Sequence, residues 1–148
     1  MTAPVNGLDV PAHVLVTGAS SGIGLSMVDA LLENPAVARV CAVSRRAGDD
    51  EALALLQARH GARLHPISAD LTNDAGLDAI MAGVRDGTND LHLVVNCAGV
   101  LHGEGLRPEK SLATLDRRAL EDSFALNAFA PVLLVRALLP LLGSHAPR

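Results

Sequence analysis

The sequence predicts an α/β fold: a doubly wound parallel sheet of four strands in the spatial order 3-2-1-4, with helices on both faces. Three observations predict it. Apolar runs of strand length alternate with helically spaced apolar residues four times along the 148 residues, the pattern of a parallel sheet joined by right-handed crossovers. The first run leads into a glycine-rich turn, Thr17-Gly18-Ala19-Ser20-Ser21-Gly22-Ile23-Gly24, and then a helical pattern. The third run contains Pro66. Proline cannot donate to a ladder, so that strand belongs at an edge, where the order 3-2-1-4 places it.

Each element has a local reason. Residues 1–12 read as a flexible lead-in containing Pro4, Gly7 and Pro11. His13 to Thr17 is continuously apolar after its histidine, as suits a strand covered on both faces. Ile23, Met27, Ala30 and Leu31 fall at helical spacing, and Pro35 closes that helix. Arg39 to Ser44 is the second strand. Asp49, Asp50 and Glu51 open a second helix at its positive dipole end. Ala52, Leu53 and Leu56 give that helix a face, and Gly61 ends it. The third strand runs from about Ala62 to Ala69, and Leu77, Ile80, Met81 and Val84 mark a third helix. Leu91 to Cys97 is the fourth strand. A long loop over Val100 to Leu115 precedes a last helix, capped by Asp116 and running to about Leu142.

Composition narrows the function. Hydrophobic residues make up 49% of the chain and charged residues 19%, a globular balance, and a chain of this length can bury about 70% of its unfolded surface. The net charge is −4. The basic residues are scattered apart from Arg45-Arg46 and Arg117-Arg118, so no nucleic-acid footprint is present. Cys41 and Cys97 lie in apolar runs and read as buried thiols in a reducing compartment; neither has the spaced partners of a zinc site. The start of the chain has no signal-peptide pattern. The apolar stretch Ala128–Leu142 is shorter than the roughly 20 residues a membrane span needs. These features predict a soluble, cytoplasmic protein without a membrane partner.

The glycine turn predicts a dinucleotide. Gly18 permits the sharp exit from the strand. Gly22 and Gly24 remove side chains where backbone approaches phosphate and where helix packs on strand, and Ser20 and Ser21 add hydroxyl donors. An acidic residue at the end of the second strand would bind a ribose 2′-hydroxyl. Ser44 stands there instead, followed by Arg45 and Arg46. A guanidinium suits a 2′-phosphate, so NADP is expected over NAD, with Arg45 as its ligand and Arg46 in solvent. Asn127 interrupts a helical run, and Pro131 stands four residues on. Proline has no N–H to return to the Asn127 carbonyl and crowds it, so a kink and a free carbonyl oxygen are expected at Asn127.

Thr17 to Gly24, Asp70-Leu71, Asn96-Cys97-Ala98-Gly99 and Asn127, in that order, resemble the short-chain dehydrogenase/reductase family over residues 13–142. The stretch Leu101–Leu142 looks more like its C-factor-like branch. The resemblance implies a Rossmann-type fold and hydride transfer between a nicotinamide and a carbonyl or alcohol carbon. It implies that Gly18, Ser20, Ser21, Gly22, Ile23 and Gly24 line the cofactor phosphates. It also implies that Asp70 accepts from the adenine amino group, that Leu71 offers backbone contacts there, and that Asn96, Ala98 and Gly99 complete the site. Cys97 departs from the family's second asparagine. Asn127 would hold a proton-relay water on its main-chain carbonyl.

The family's reaction uses a serine, a tyrosine and a lysine on the strand and helix that follow. This sequence contains no tyrosine, and Lys110 lies in the loop before the last helix. His102 has no evident partner as a base. The expected function is therefore that of an NADP-dependent oxidoreductase of this family. Residues 13–148 would be its cofactor-binding half, inactive alone, with a small carbonyl or alcohol substrate belonging to the complete member. Two alternatives remain: a non-catalytic dinucleotide-binding or interaction module that self-associates through the last helix, and a truncated product without activity. The last helix is expected to expose Leu133, Leu134, Leu138, Leu139, Leu141 and Leu142, and the fourth strand to leave an open edge.

Overall fold

The computed structural model describes residues 11–101 and 111–142. The body of the expected lead-in, most of the expected long loop, and His102 and Lys110 lie outside those residues. The elements follow the chain as β1 (Ala12–Thr17), α1 (Gly22–Leu32), β2 (Val37–Ser44), α2 (Glu51–His60), β3 (Leu64–Ser68), α3 (Asp74–Arg85), β4 (Leu93–Asn96), α4 (Arg117–Phe124) and α5 (Ala130–Leu142). The sheet has the order β3-β2-β1-β4, and all its pairings are parallel. Pro66 sits on edge strand β3, opposite Ala42. β4 forms the other edge, pairing with β1 from Val14↔Leu93 to Thr17↔Asn96.

The strands are apolar on both sides because both faces are covered. On one face Val14, Val16, Val40, Ala42 and Leu64 pack with α1 and α2 residues Val28, Leu31, Leu32, Leu53 and Leu56. On the other, Leu15, Cys41, Val43 and Ile67 pack with Leu77, Ile80 and Val84 of α3 and Leu134, Leu138 and Leu141 of α5. Cys41 is buried and Cys97 half-buried, and both are free thiols. Burial pushes the Cys41 thiol pKa up, against the pull of neighbouring Arg39.

Caps set the helix limits. The Asp50 side chain accepts from the Leu53 N–H at 3.0 Å to start α2, and Gly61 ends it at φ +60°. Asn73 accepts from the Gly76 N–H at 2.8 Å to start α3. Asp116 accepts from the Ala119 N–H at 3.1 Å to start α4. Asp49, expected to open α2, lies instead in a 3₁₀ turn, Ala47–Asp49.

Four expectations need correction. The Ile23–Met27–Ala30 stripe does not face the sheet: Ile23 is 77% exposed, and Gly24, Val28, Leu31 and Leu32 are the buried residues. The α1 sequence is apolar nearly all round, so spacing alone allowed two faces. The one carrying Gly24 wins because only it lets the helix approach β1. Second, the stretch Ala128–Leu142, read as too short for a membrane span, is part of a longer helix whose ends, the Asp116 cap and Leu142, are those expected. α4, a π-helical turn over Ala125–Phe129 and α5 run without a break, and Arg117–Leu142 is long and apolar enough, by length and composition, to cross a membrane. Third, Leu134, Leu138 and Leu141 of that helix are buried on the sheet, while Leu139 is exposed. Fourth, around Asn127, where an α-helix kinked by Pro131 was expected, the backbone forms a π turn in which the Ala130 N–H returns to the Ala125 carbonyl. This shift by one residue brings the ladder to Pro131, which has no N–H to give.

Candidate functional site

Every predicted binding residue follows the carboxyl end of a strand, the rim where open parallel sheets take ligands. Gly18 to Gly24 follow β1, Ser44 and Arg45 close β2, Asp70 and Leu71 follow β3, and Asn96 to Gly99 finish β4. The sheet's lateral bonding continues past the strands and holds these loops side by side. The Ala19 N–H donates to the Val43 carbonyl at 3.1 Å, and the Ala69 N–H to the Ser44 carbonyl at 3.0 Å. The Ala98 N–H donates to Thr17 Oγ1 at 3.1 Å, which gives the fully buried Thr17 hydroxyl a partner.

The three glycines of the turn have different reasons. Gly18 has φ +64°, and a Cβ there would stand 2.8 Å from the Ala98 backbone. A Cβ at Gly24 would collide with the Gly18 carbonyl oxygen. Gly22 has φ +52°, yet a Cβ there would meet nothing. Two glycines thus close-pack the turn, and the third keeps an open space before the helix.

That helix begins without a side-chain cap. Ser21 occupies the N-cap position but makes no capping hydrogen bond, and α1 has no acidic residue in its first turn. The starts of α2, α3 and α4 are each capped by Asp or Asn. The first-turn N–H groups of α1 and the positive end of its dipole are left for an anion. Ser20 is half-buried, and Ser21 and Ile23 are exposed beside the open space.

The neighbouring strand ends carry the charged groups. Arg45 and Arg46 are exposed. Asp70 is exposed, and its Oδ1 accepts from the Thr72 N–H at 2.9 Å and the Thr72 hydroxyl at 2.7 Å. These two bonds hold the Asp70 carboxyl below its usual pKa against the opposing effect of burial, and the Arg45 guanidinium adds the smallest pull in the same direction. Asp70 is therefore an anion at neutral pH, with Arg45 close enough to act on it. Leu71 is buried beneath. Asp70 also has a structural duty: a Cβ at Gly76 would collide with the Asp70 carbonyl, so α3 packs directly on this loop. Ser44 Oγ is buried and makes no hydrogen bond with protein groups.

Asn127 reaches the site through its side chain, a role the sequence did not reveal. Its Oδ1 accepts from the Val100 N–H at 2.8 Å, and its Nδ2 donates to the Val100 carbonyl at 2.7 Å and to Ser123 Oγ at 3.2 Å. This two-bond clamp fixes the loop after β4 to the π turn, and Gly99 passes close to the same oxygen. Only an i+4 relation to Pro131 was local enough to read; the partner at Val100 lies 27 residues away.

The glycine cradle, the uncapped helix start and the exposed guanidinium on the next strand fit the phosphates of a dinucleotide. Comparison with known proteins agrees. The family model described as short chain dehydrogenase matches residues 12–146. The chain is 30% identical to short-chain dehydrogenase/reductase PhomF of Diaporthe leptostromiformis, over 88% of this chain and 47% of that protein. It is 35% identical to short chain dehydrogenase/reductase AacuD of Aspergillus aculeatus, over 85% and 42%. It spans about half the length of these curated relatives. A carbonyl reductase from Pseudomonas aeruginosa PAO1, solved in complex with NADP, superposes with a TM-score of 0.77 at 31% identity, covering 88% of this chain and 56% of that one. Sheet order, glycine turn and the matched stretch lead to one conclusion: the chain belongs to the short-chain dehydrogenase/reductase family.

Proposed function

We propose that this chain is the NADP-binding portion of a carbonyl or alcohol oxidoreductase. The observation that carries the reading is the uncapped start of α1 behind the open space at Gly22, with Arg45 on the adjacent strand end. In this reading the backbone of Gly18, Gly22, Ile23 and Gly24 takes the pyrophosphate. Ser20 and Ser21 add hydroxyl donors. Arg45 takes the 2′-phosphate by charge-assisted hydrogen bonds, and Arg46 stays in solvent. Asp70, held ionised, accepts from the adenine amino group, with Leu71 below it. Asn96, Ala98 and Gly99 line the rim at β4, and Asn127 holds that rim in place.

The bound cofactor supplies hydride chemistry; the residues of this chain bind and orient it. The proton donor of the family's reaction is a tyrosine, and these 148 residues contain none. The chain by itself therefore binds without turnover.

Titration of NADPH against the full chain, followed by cofactor fluorescence, tests the reading. Saturable binding is expected, with no carbonyl reduction above blank. Arg45→Ala should weaken NADPH at least tenfold and NADH little. Equal losses for both cofactors would refute the 2′-phosphate assignment, and measurable turnover would refute the argument from the missing tyrosine.

One observation favours a second property. Phe124, Phe129, Val132 and Leu139 are exposed along the last helix, at 54%, 59%, 68% and 57%. An apolar stripe of this kind favours self-association, which is compatible with cofactor binding or can stand without it.

A further inference from the structure

The opposite end of the α1–α2 layer carries a cluster that the dinucleotide site does not use. Asp29 and Glu33 stand one turn apart at the end of α1, and His60 ends α2 beside them. One ligand atom from each lies within 4.8 Å of the other two. Asp29 Oδ1 and His60 Nε2 are both buried atoms that make no hydrogen bond. Their charged contacts are long: 3.6 Å from Asp29 to Arg59 and 3.5 Å from His60 Nε2 to Glu33. Arg59 makes its shorter contact, 3.2 Å, with Glu33.

The charges do not balance. Two carboxylates face one guanidinium, which leaves one negative charge whenever His60 is neutral. The unused capacity sits on two buried atoms of this cluster, one oxygen and one imidazole nitrogen. A mixed carboxylate and imidazole set is the donor chemistry of zinc-class transition metals, whereas magnesium prefers oxygen and retained water.

The spacing is close to what such an ion needs. Three atoms within 4.8 Å of one another leave a central ion at most about 2.8 Å from each, and zinc bonds to nitrogen and oxygen run about 2.0–2.2 Å. A closure of at most about 0.7 Å per ligand falls within small rotamer adjustments. Arg59 is 58% exposed, so its guanidinium can leave for solvent.

We propose that Asp29, Glu33 and His60 form a binding site for a divalent transition-metal ion of the zinc class, which displaces the Arg59 guanidinium and ties α1 to α2. The site lies at the far ends of these helices from the dinucleotide rim. It stabilises the fold and takes no part in hydride chemistry.

The test uses the full chain freed of metal. Co²⁺ titration should produce saturable visible d–d absorption. Zn²⁺ at about a hundred times its dissociation constant should raise the melting temperature by roughly 5–10 °C, while Mg²⁺ should not. His60→Ala and Glu33→Gln should each weaken Co²⁺ binding tenfold or more. Glu33 is exposed, so its variant keeps the test open if loss of His60 impairs folding. Arg59→Ala, which removes the competing cation, should tighten binding several-fold. Absence of saturable binding, survival of binding in both ligand variants, or unchanged or weaker binding in Arg59→Ala would each overturn the proposal.

Discussion

At the scale of single residues, the glycine turn separates packing from binding. A Cβ at Gly24 would collide with the Gly18 carbonyl, whereas one at Gly22 would meet only open space. Gly24→Ala should therefore lower stability by about 1–3 kcal/mol, the usual cost of overpacking, with the melting temperature falling about 2–4 °C per kcal/mol. Gly22→Ala bears only the strain of a positive φ, about 1–2 kcal/mol, and puts a methyl in the open space at the start of α1, where the proposed phosphates lie. Its NADPH affinity should fall further than that of Gly24→Ala once both are compared as folded protein. Thermal melts and NADPH titrations on the pair decide this, and the reverse ranking would place the phosphates elsewhere. Both glycines were legible in the sequence as a pattern. Their different reasons were not, because the Gly18–Gly24 and Gly18–Ala98 approaches exist only after folding.

At the scale of elements, legibility follows distance along the chain. Asp50, Asp116 and Gly61 act within three or four residues, and the sequence marks helix ends through them; Asn73 caps α3 over the same short range but was not singled out. The edge position of β3 follows from Pro66 alone. The face of α1 was misread, because an all-round apolar helix leaves the choice to Gly24 and the strand beneath. The Asn127 clamp joins an element to a loop 27 residues away, beyond any local pattern. Its removal is informative. Asn127→Ala deletes two short hydrogen bonds to Val100 and should cost about 1–2 kcal/mol. Amide exchange at Val100 should rise, with no comparable change in α1. Unchanged exchange there would mean that the loop is held by other contacts.

At the scale of the whole molecule, the two faces of the sheet are closed to different degrees. Core side chains of α1 and α2 cover one face; α3 and one stripe of α5 cover the other. The outer stripe of the last helix and the free edge of β4 remain. The sequence showed that this helix was too apolar for a surface, but it could not divide the leucines between the stripe on the sheet and the stripe in solvent. Val132→Glu places a charge at the centre of the exposed stripe, 68% exposed, where it disturbs no core contact. If that stripe drives self-association, sedimentation should show wild-type assembly and a monomeric variant with an unchanged melt. A wild-type monomer across the concentration range would dismiss the interface.

The approach of Gly18 to the Ala98 backbone also bears on the order in which this protein is completed. The turn is made before β4, yet part of its packing depends on a contact with the segment after β4, 80 positions later, and such distant closures come late in folding. Until β4 docks beside β1, residues 17–24 lack the Ala98 backbone against which Gly18 packs. The final shape of the turn then belongs to the closed sheet and not to the motif alone.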